Sequence, residues 1–254
     1  MREQFILNYT GNKYNESKNL DECIDYDKYD TIIEPFGGSF GYIRYLYNKG
    51  IRKTFIVMDN NKDLINFYKY LKKLKNPYKI RDLYNKEMDK IFDECKYKEV
   101  NKVKYLEVNK VKIYLKNIKV NKYVTYLLKH NLGHKRGVLT TAYKKDVNMD
   151  IFKHIKFIHG DMKTYNFNKY INSTTLIYLD PPYLSTRNDS YVDEDILGCF
   201  KKMYELFKTS NSIFIHVQHP ILNILLEKFK KHEYTKLYQL TKKNVKHIVY
   251  FNCY

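Results

Sequence analysis

The stretch TTLIYLDPPY at 174–183 is an apolar run halted by an acid, two prolines and an aromatic ring. Its first six residues are β-branched, aliphatic or aromatic without polar alternation, the pattern of a strand buried on both faces of a parallel sheet. Pro181 and Pro182 cannot donate to a ladder, so the strand stops and Asp180 falls at its carboxyl end. In an open α/β sheet that end borders the ligand crevice. Asp180 and the Pro181 carbonyl then form two acceptors in a stiff turn, with Tyr183 beside them as a stacking face. Such a set suits a flat ring carrying an exocyclic amine: both amine hydrogens find acceptors while the ring stacks. A proline-rich turn with Asp180 as a local cap is the plainer alternative.

Outward from this stretch the chain alternates strand and helix on both sides. Upstream, TIIEPF (31–36) and TFIVMD (54–59) read as strands, each followed by a helical pattern, over 39–48 and over KDLINFYKYLKKL. Downstream come IKFIHGD (155–161), the DPPY stretch, a helix over 193–207, SIFIHVQ (212–218), a helix over 221–230, and two closing strands, YTKLYQL and KHIVYFNCY, that pair as a hairpin. This order predicts one open, mostly parallel sheet of residues 1–76 and 151–254, interrupted by an insertion at 77–150. Within the insertion EVNKVKY at 99–105 recurs as EVNKVKI at 107–113, a local duplication forming a polar helix or a hairpin. TYLLKHNLGHKRGVLTTAYKK reads as a helix leading into an exposed loop or hairpin around Gly133 and Gly137.

The 254 residues, 44% hydrophobic and 29% charged, have globular composition, which argues against collagen-like, wholly disordered and disulfide-scaffold classes. No apolar run approaches the roughly 20 residues of a membrane span, and the start lacks a signal peptide's core, so the expectation is a soluble, intracellular protein without membrane contact. Cys23, Cys95, Cys199 and Cys253 lie far apart without CxxC spacing, and reduced thiols are expected. The net charge of +18 points to a polyanionic partner, although abundant Lys, Asn, Ile and Tyr also fit compositional drift. Position favours the partner: residues 96–145 carry 14 Lys and Arg against Glu99 and Glu107, a net +12. Lys102, Lys104, Lys110 and Lys112 of the duplication, with Lys135 and Arg136 of the turn, are the candidate nucleic-acid contacts, a solvated charged face being the alternative.

A second motif is EPFGGSFG at 34–41, where a strand stops and glycines open a helix start to a ligand; alone it reads as an ordinary βα turn. Asp59 at the end of TFIVMD strengthens it, because a carboxylate there can accept both hydroxyls of a ribose; a helix cap is the alternative. Asp161, ending IKFIHGD, can accept an adenine amino hydrogen or simply close a turn. Tyr9-Thr10-Gly11-Asn12-Lys13 is a short aromatic, glycine and cation cluster. His130 with His134, and His216 with His219, have two-ligand spacings but no third ligand, and no metal is expected.

Taken together, these motifs resemble the Dam-like, alpha-type DNA adenine-N6 methyltransferases: N-terminal cofactor segment, glycine turn, recognition insertion, then DPPY. The resemblance covers the whole sheet. It implies an α/β, doubly wound, Rossmann-like methyltransferase sheet with a C-terminal antiparallel hairpin and an inserted basic target-recognition region. It implies S-adenosylmethionine as cofactor, leaving S-adenosylhomocysteine, bound by Tyr9, Lys13, Glu34, Phe36, Gly37, Gly38, Asp59, Asp161 and Asp180. Asp180, Pro181, Pro182 and Tyr183 would then hold an adenine flipped out of double-stranded DNA, and a cognate restriction nuclease is admitted as a further partner. The family's FxGxG reads Phe36-Gly37-Gly38-Ser39-Phe40 here, with phenylalanine for the second glycine. An RNA adenine methyltransferase, a cytosine-N4 methyltransferase and a noncatalytic nucleic-acid-binding subunit are the rival readings. Recognition sequence and oligomeric state are not specified by the residues.

Overall fold

The computed structural model describes residues 5–9, 12–95, 97–100, 103–106, 108–132, 139–140, 147–181, 196–217, 219–238 and 243–253. In chain order they form β1 (Thr31–Glu34), α1 (Gly41–Asn48), β2 (Thr54–Asp59), α2 (Lys62–Lys73), α3 (Tyr78–Glu94), β3 (Tyr97–Val100), β4 (Val103–Leu106), α4 (Val108–Asn117) and α5 (Lys122–Leu132). Then follow β5 (Leu139–Thr140), β6 (Ile155–His159), β7 (Thr175–Leu179), α6 (Ile196–Thr209), β8 (Ser212–Val217), α7 (Pro220–Leu225), β9 (Lys230–Tyr238) and β10 (Lys243–Asn252). The chain divides into two compact units, Asn12–Lys69 with His154–Tyr254, and Met1–Gly11 with Tyr70–Lys153.

The first unit is built on a seven-stranded sheet of order β6-β2-β1-β7-β8-β10-β9. The first five strands are parallel, and β10 runs antiparallel to both of its neighbours. Strand order reverses direction between β1 and β7, which makes their carboxyl ends the switch point of a doubly wound sheet. The apolar runs become strands because they are buried: all five residues of β7 and the last five of β2 are buried, Asp59 at the end of β2 keeping 9% of its surface exposed. Each such aliphatic or aromatic side chain contributes on the order of 1.5–3 kcal/mol of transfer energy. Tyr42 of α1 stacks on Tyr178 of β7 at 4.1 Å between ring centroids, so the helix that follows the glycine turn is seated on the strand that ends in Asp180.

The closing hairpin forms as its apolar pattern predicts, but its first strand begins earlier. Lys230 already pairs with Phe251, and the preceding helix α7 ends at Leu225 rather than running to 230. Pairing along β10 satisfies the backbone of 230–233, which overrides the helical periodicity of ILNILLEKFK.

In the second unit, β3, β4 and β5 make a three-stranded sheet beside α3, α4 and α5. The duplicated sequence adopts both of its expected forms. The described residues of EVNKVKY lie on the paired strands β3 and β4, with Val100 opposite Val103, whereas residues 108–113 of the second copy supply the first turns of α4. Identical local propensity is decided by surroundings: β4 is also paired on its other edge by β5, while Val111 of α4 is buried. The described N-terminal residues 5–9 belong to this unit and not to the sheet with which the sequence reading grouped them. Buried Asn131 of α5 holds them, accepting from Asn8 N–H at 2.7 Å and donating to the Ile6 carbonyl at 2.8 Å, while Phe5, Ile6 and Leu7 are buried. Among the described residues no helix is long and apolar enough to cross a membrane.

Candidate active site

Four carboxylates close four adjacent parallel strands. Asp161 follows β6, Asp59 ends β2, Glu34 ends β1 and Asp180 follows β7. With strands about 4.8 Å apart, the four form a row about 14 Å long at the carboxyl edge of the sheet. Period-two alternation and a parallel ladder suffice to bring them together, since Glu34 is level with Val57 and Asp59 with His159.

Each member has a different environment. Asp59 is buried, and its two oxygens accept one backbone N–H each, from Gly38 and from Asn61, both at 2.8 Å. Burial pushes its carboxyl up against the opposing pull of those two bonds. A carboxylate has about four acceptor positions, so capacity for two further donors remains on a group that also anchors the turn, while α2 is capped by Asn61, whose Oδ1 accepts the Leu64 N–H at 3.1 Å. Glu34 is buried and accepts the Ile43 N–H at 3.2 Å. Burial, with the neighbouring Asp180 charge adding to it, pushes its carboxyl up to about 8 in spite of Arg44 and Lys13. Asp161 accepts the Lys163 N–H at 2.9 Å with its side chain, and its carbonyl closes the turn to Thr164 and Tyr165. Asp180 is paired with Lys13, Nζ to Oδ2 at 2.8 Å, in a bridge whose side chains are only 7% and 14% exposed.

Lys13 is itself fixed from several directions. Its carbonyl accepts from the Ser17 hydroxyl at 2.7 Å, and Glu16 of the same segment pairs with Lys236 of β9. A Cβ on Gly41 would lie 2.8 Å from the Lys13 nitrogen, so the absence of a side chain at Gly41 is what lets this segment pass. Gly37 is required for a similar reason, because a Cβ there would meet Val57 and the Met58 carbonyl at 2.5 and 2.8 Å. Gly38 instead has a left-handed backbone, φ +42°, which glycine adopts without steric cost. Phe36 is partly buried and packs against the core cluster formed by β1, β7, α6 and β8.

Several participants were not singled out from the sequence. Arg44 is buried within α1, donates to the Ser39 carbonyl and to Asn12 Oδ1 at 2.9 Å each, and lies over the Tyr14 ring. A lone arginine on an otherwise apolar helical face was the available signal. Tyr68 of α2 donates its hydroxyl to the Gly38 carbonyl at 2.6 Å. His247 of β10 is buried, and burial, with Lys13 and Lys236 nearby, pushes it down to about 3, so it stays neutral. No sequence pattern marked it.

Pro181 is described and buried, whereas Pro182 and Tyr183 lie outside the described residues. Tyr9 belongs to the second unit, where its ring stacks on His130 at 5.9 Å. Lys104 lies on β4 opposite Glu99, and Lys110 and Lys112 lie on α4, with Lys112 exposed. Lys102, Lys135 and Arg136 lie outside the described residues. Among the described residues no group of three or more His, Cys, Asp or Glu is placed to hold a metal ion.

A type II methyltransferase of Methanocaldococcus jannaschii, M.MjaIII, is 25% identical over 190 residues, 65% of this chain. The chain spans 63% of the length of that curated relative. Among solved structures, an rRNA methylase of Streptococcus thermophilus superposes with a TM-score of 0.39 at 10% identity, over 94% of this chain and 96% of that one. The methyltransferase domain of bacterial CtHen1-CN gives 0.40 at 7%, over 94% and 99%. The fold rests on the strand order itself and not on these two likenesses. The family model described as D12 class N6 adenine-specific DNA methyltransferase matches residues 9–197, which include the glycine turn, the insertion and the DPPY stretch. The chain therefore belongs to the D12 class of N6 adenine-specific DNA methyltransferases.

Proposed function

We propose that this chain methylates N6 of an adenine flipped out of double-stranded DNA, with S-adenosylmethionine as methyl donor. The observation that carries the reading is the carboxylate row, ending at an Asp180 held by a buried lysine. The donor and acceptor chemistry fits the cofactor. Asp161 and Asp59 would accept from its adenine amine and ribose hydroxyls, and the left-handed turn after β1, backed by Glu34, would hold its amino-acid part. When bound, S-adenosylmethionine supplies an electrophilic sulfonium methyl group.

An aromatic amine is a weak nucleophile because its lone pair is delocalised into the ring. Asp180 and the Pro181 carbonyl would each accept one amine hydrogen, favouring a pyramidal nitrogen, and Tyr183 would stack the extracted base. The ion pair with Lys13 holds the Asp180 side chain in place, so that the acceptor needs no rearrangement when the base arrives. The surplus proton on a methylated N6 is acidic enough to pass to solvent, and no strong base is required. The basic insertion would bind phosphates, with affinity arising from counterion release.

The test is transfer of labelled methyl groups from S-adenosylmethionine to duplex DNA, single-stranded DNA and RNA, followed by nucleoside analysis. N6-methyladenine in duplex DNA is expected, abolished by Asp180→Ala with DNA binding nearly intact. Label in RNA alone, methylation at cytosine N4, or activity of the variant within tenfold of the parent would overturn the proposal.

A further inference from the structure

We infer that Tyr68 is a positioning residue that sets how tightly the glycine turn grips the cofactor; this rests on the proposal that the turn holds S-adenosylmethionine. The turn contains two left-handed residues in close succession, Gly38 at φ +42° and Phe40 at φ +41°. Phe40 is the one non-glycine with positive φ among the described residues. A bulky side chain in that region is an outlier that persists only where the surroundings over-determine it.

Tyr68 over-determines both positions. Its hydroxyl donates to the Gly38 carbonyl at 2.6 Å, while the Gly38 N–H donates to Asp59 Oδ2 at 2.8 Å. The peptide planes on either side of Gly38 are therefore each held by one side chain, and the φ and ψ of that residue follow. The Tyr68 ring also meets the Phe40 ring edge-on, with centroids 5.1 Å apart at 88°, and Phe157 of β6 closes the cluster at 5.8 Å from Phe40 and 5.1 Å from Tyr68. Phe40 and Tyr68 are both fully buried. The Phe40 N–H bonds the Gly37 carbonyl, and its own carbonyl accepts from Arg44 at 3.0 Å, so the same residue also starts α1. Being buried beneath the turn, Tyr68 would act on a ligand only through the backbone it holds. Loosening the Gly38–Ser39 peptide also loosens a donor to Asp59, and with it the neighbouring ribose site.

Tyr68→Phe removes the hydroxyl and leaves the ring cluster intact, so the variant is expected to fold. Calorimetry should show S-adenosylmethionine bound about five- to tenfold more weakly, the effect of one buried hydrogen bond. Turnover at saturating cofactor and affinity for duplex DNA should stay within twofold of the parent, an effect on KM without one on kcat. Unchanged cofactor affinity would overturn the inference. So would a parallel fall in cofactor affinity, DNA affinity and turnover, which marks a general loss of folded protein. Failure of the unaltered chain to bind S-adenosylmethionine would appear in the parent titration. That result removes the cofactor reading first and the role of Tyr68 with it.

Discussion

Replacing Glu34 with Gln should make the stability of the folded chain less dependent on pH. Glu34 is inaccessible at the end of β1, with Asp180 beside it raising its proton affinity and Lys13 and Arg44 opposing that effect. With its carboxyl pushed up to about 8 from an ordinary 4.5, the folded state keeps a proton that the unfolded chain releases across this window. Because the native state binds more protons there, stability falls as pH rises. The contribution is fully present below about 4.5 and is lost as pH passes through about 8, a difference on the order of 5 kcal/mol if the whole shift is realised. Gln is neutral throughout and still offers an oxygen to the Ile43 N–H, so it reproduces the protonated carboxyl in shape and bonding. Urea unfolding of both proteins from pH 5 to 9 should find them closest in stability at pH 5, the variant gaining about 1.4 kcal/mol on the parent per pH unit up to about 8 and nothing further above it. Parallel curves over the whole range would refute the assignment of a buried, protonated Glu34.

Asp59→Ala should weaken S-adenosylmethionine binding by about 1.5–3 kcal/mol for each charge-assisted ribose bond lost. It should also lower stability, because the Gly38 and Asn61 N–H groups lose their acceptor; unchanged affinity by calorimetry would leave Asp59 as an anchor of the turn alone. Phe40→Gly should relieve about 1–2 kcal/mol of left-handed strain yet lose a buried ring worth about 3–5 kcal/mol, for a net loss of about 1–4 kcal/mol in urea unfolding. A variant as stable as the parent would show that the ring contributes no more than the strain removes. Neutralising Lys102, Lys104, Lys110 and Lys112 together should reduce the slope of log affinity against log salt by about 3–4 for duplex DNA, and the two lysines of α4 alone by about 2. An unchanged slope would make the insertion's charge a solvated face.

The strands of the seven-stranded sheet, and the acids that end them, were legible because both follow from local pattern. Apolar runs such as TLIYL can hide their side chains only as central parallel strands, and the residue that stops each run must then lie on one edge of the sheet. Asp59, Glu34, Asp161 and Asp180 were found in this way, and the duplication was visible as a repeat. The repeat could not reveal that one EVNKVK copy lies on the paired strands β3 and β4 and the other in α4, because the two have the same propensities and differ only in their neighbours. Nor could local pattern pair Lys13 with Asp180 or seat Tyr68 beneath Gly38, since those contacts join residues distant in sequence that only sheet order brings within bonding distance. The same holds for Phe40. From its letters it reads as a glycine lost from a motif. Folding shows a ring buried against Tyr68 and Phe157 that holds a conformation glycine would adopt unaided, and burial of that ring is energy that no spacing rule records.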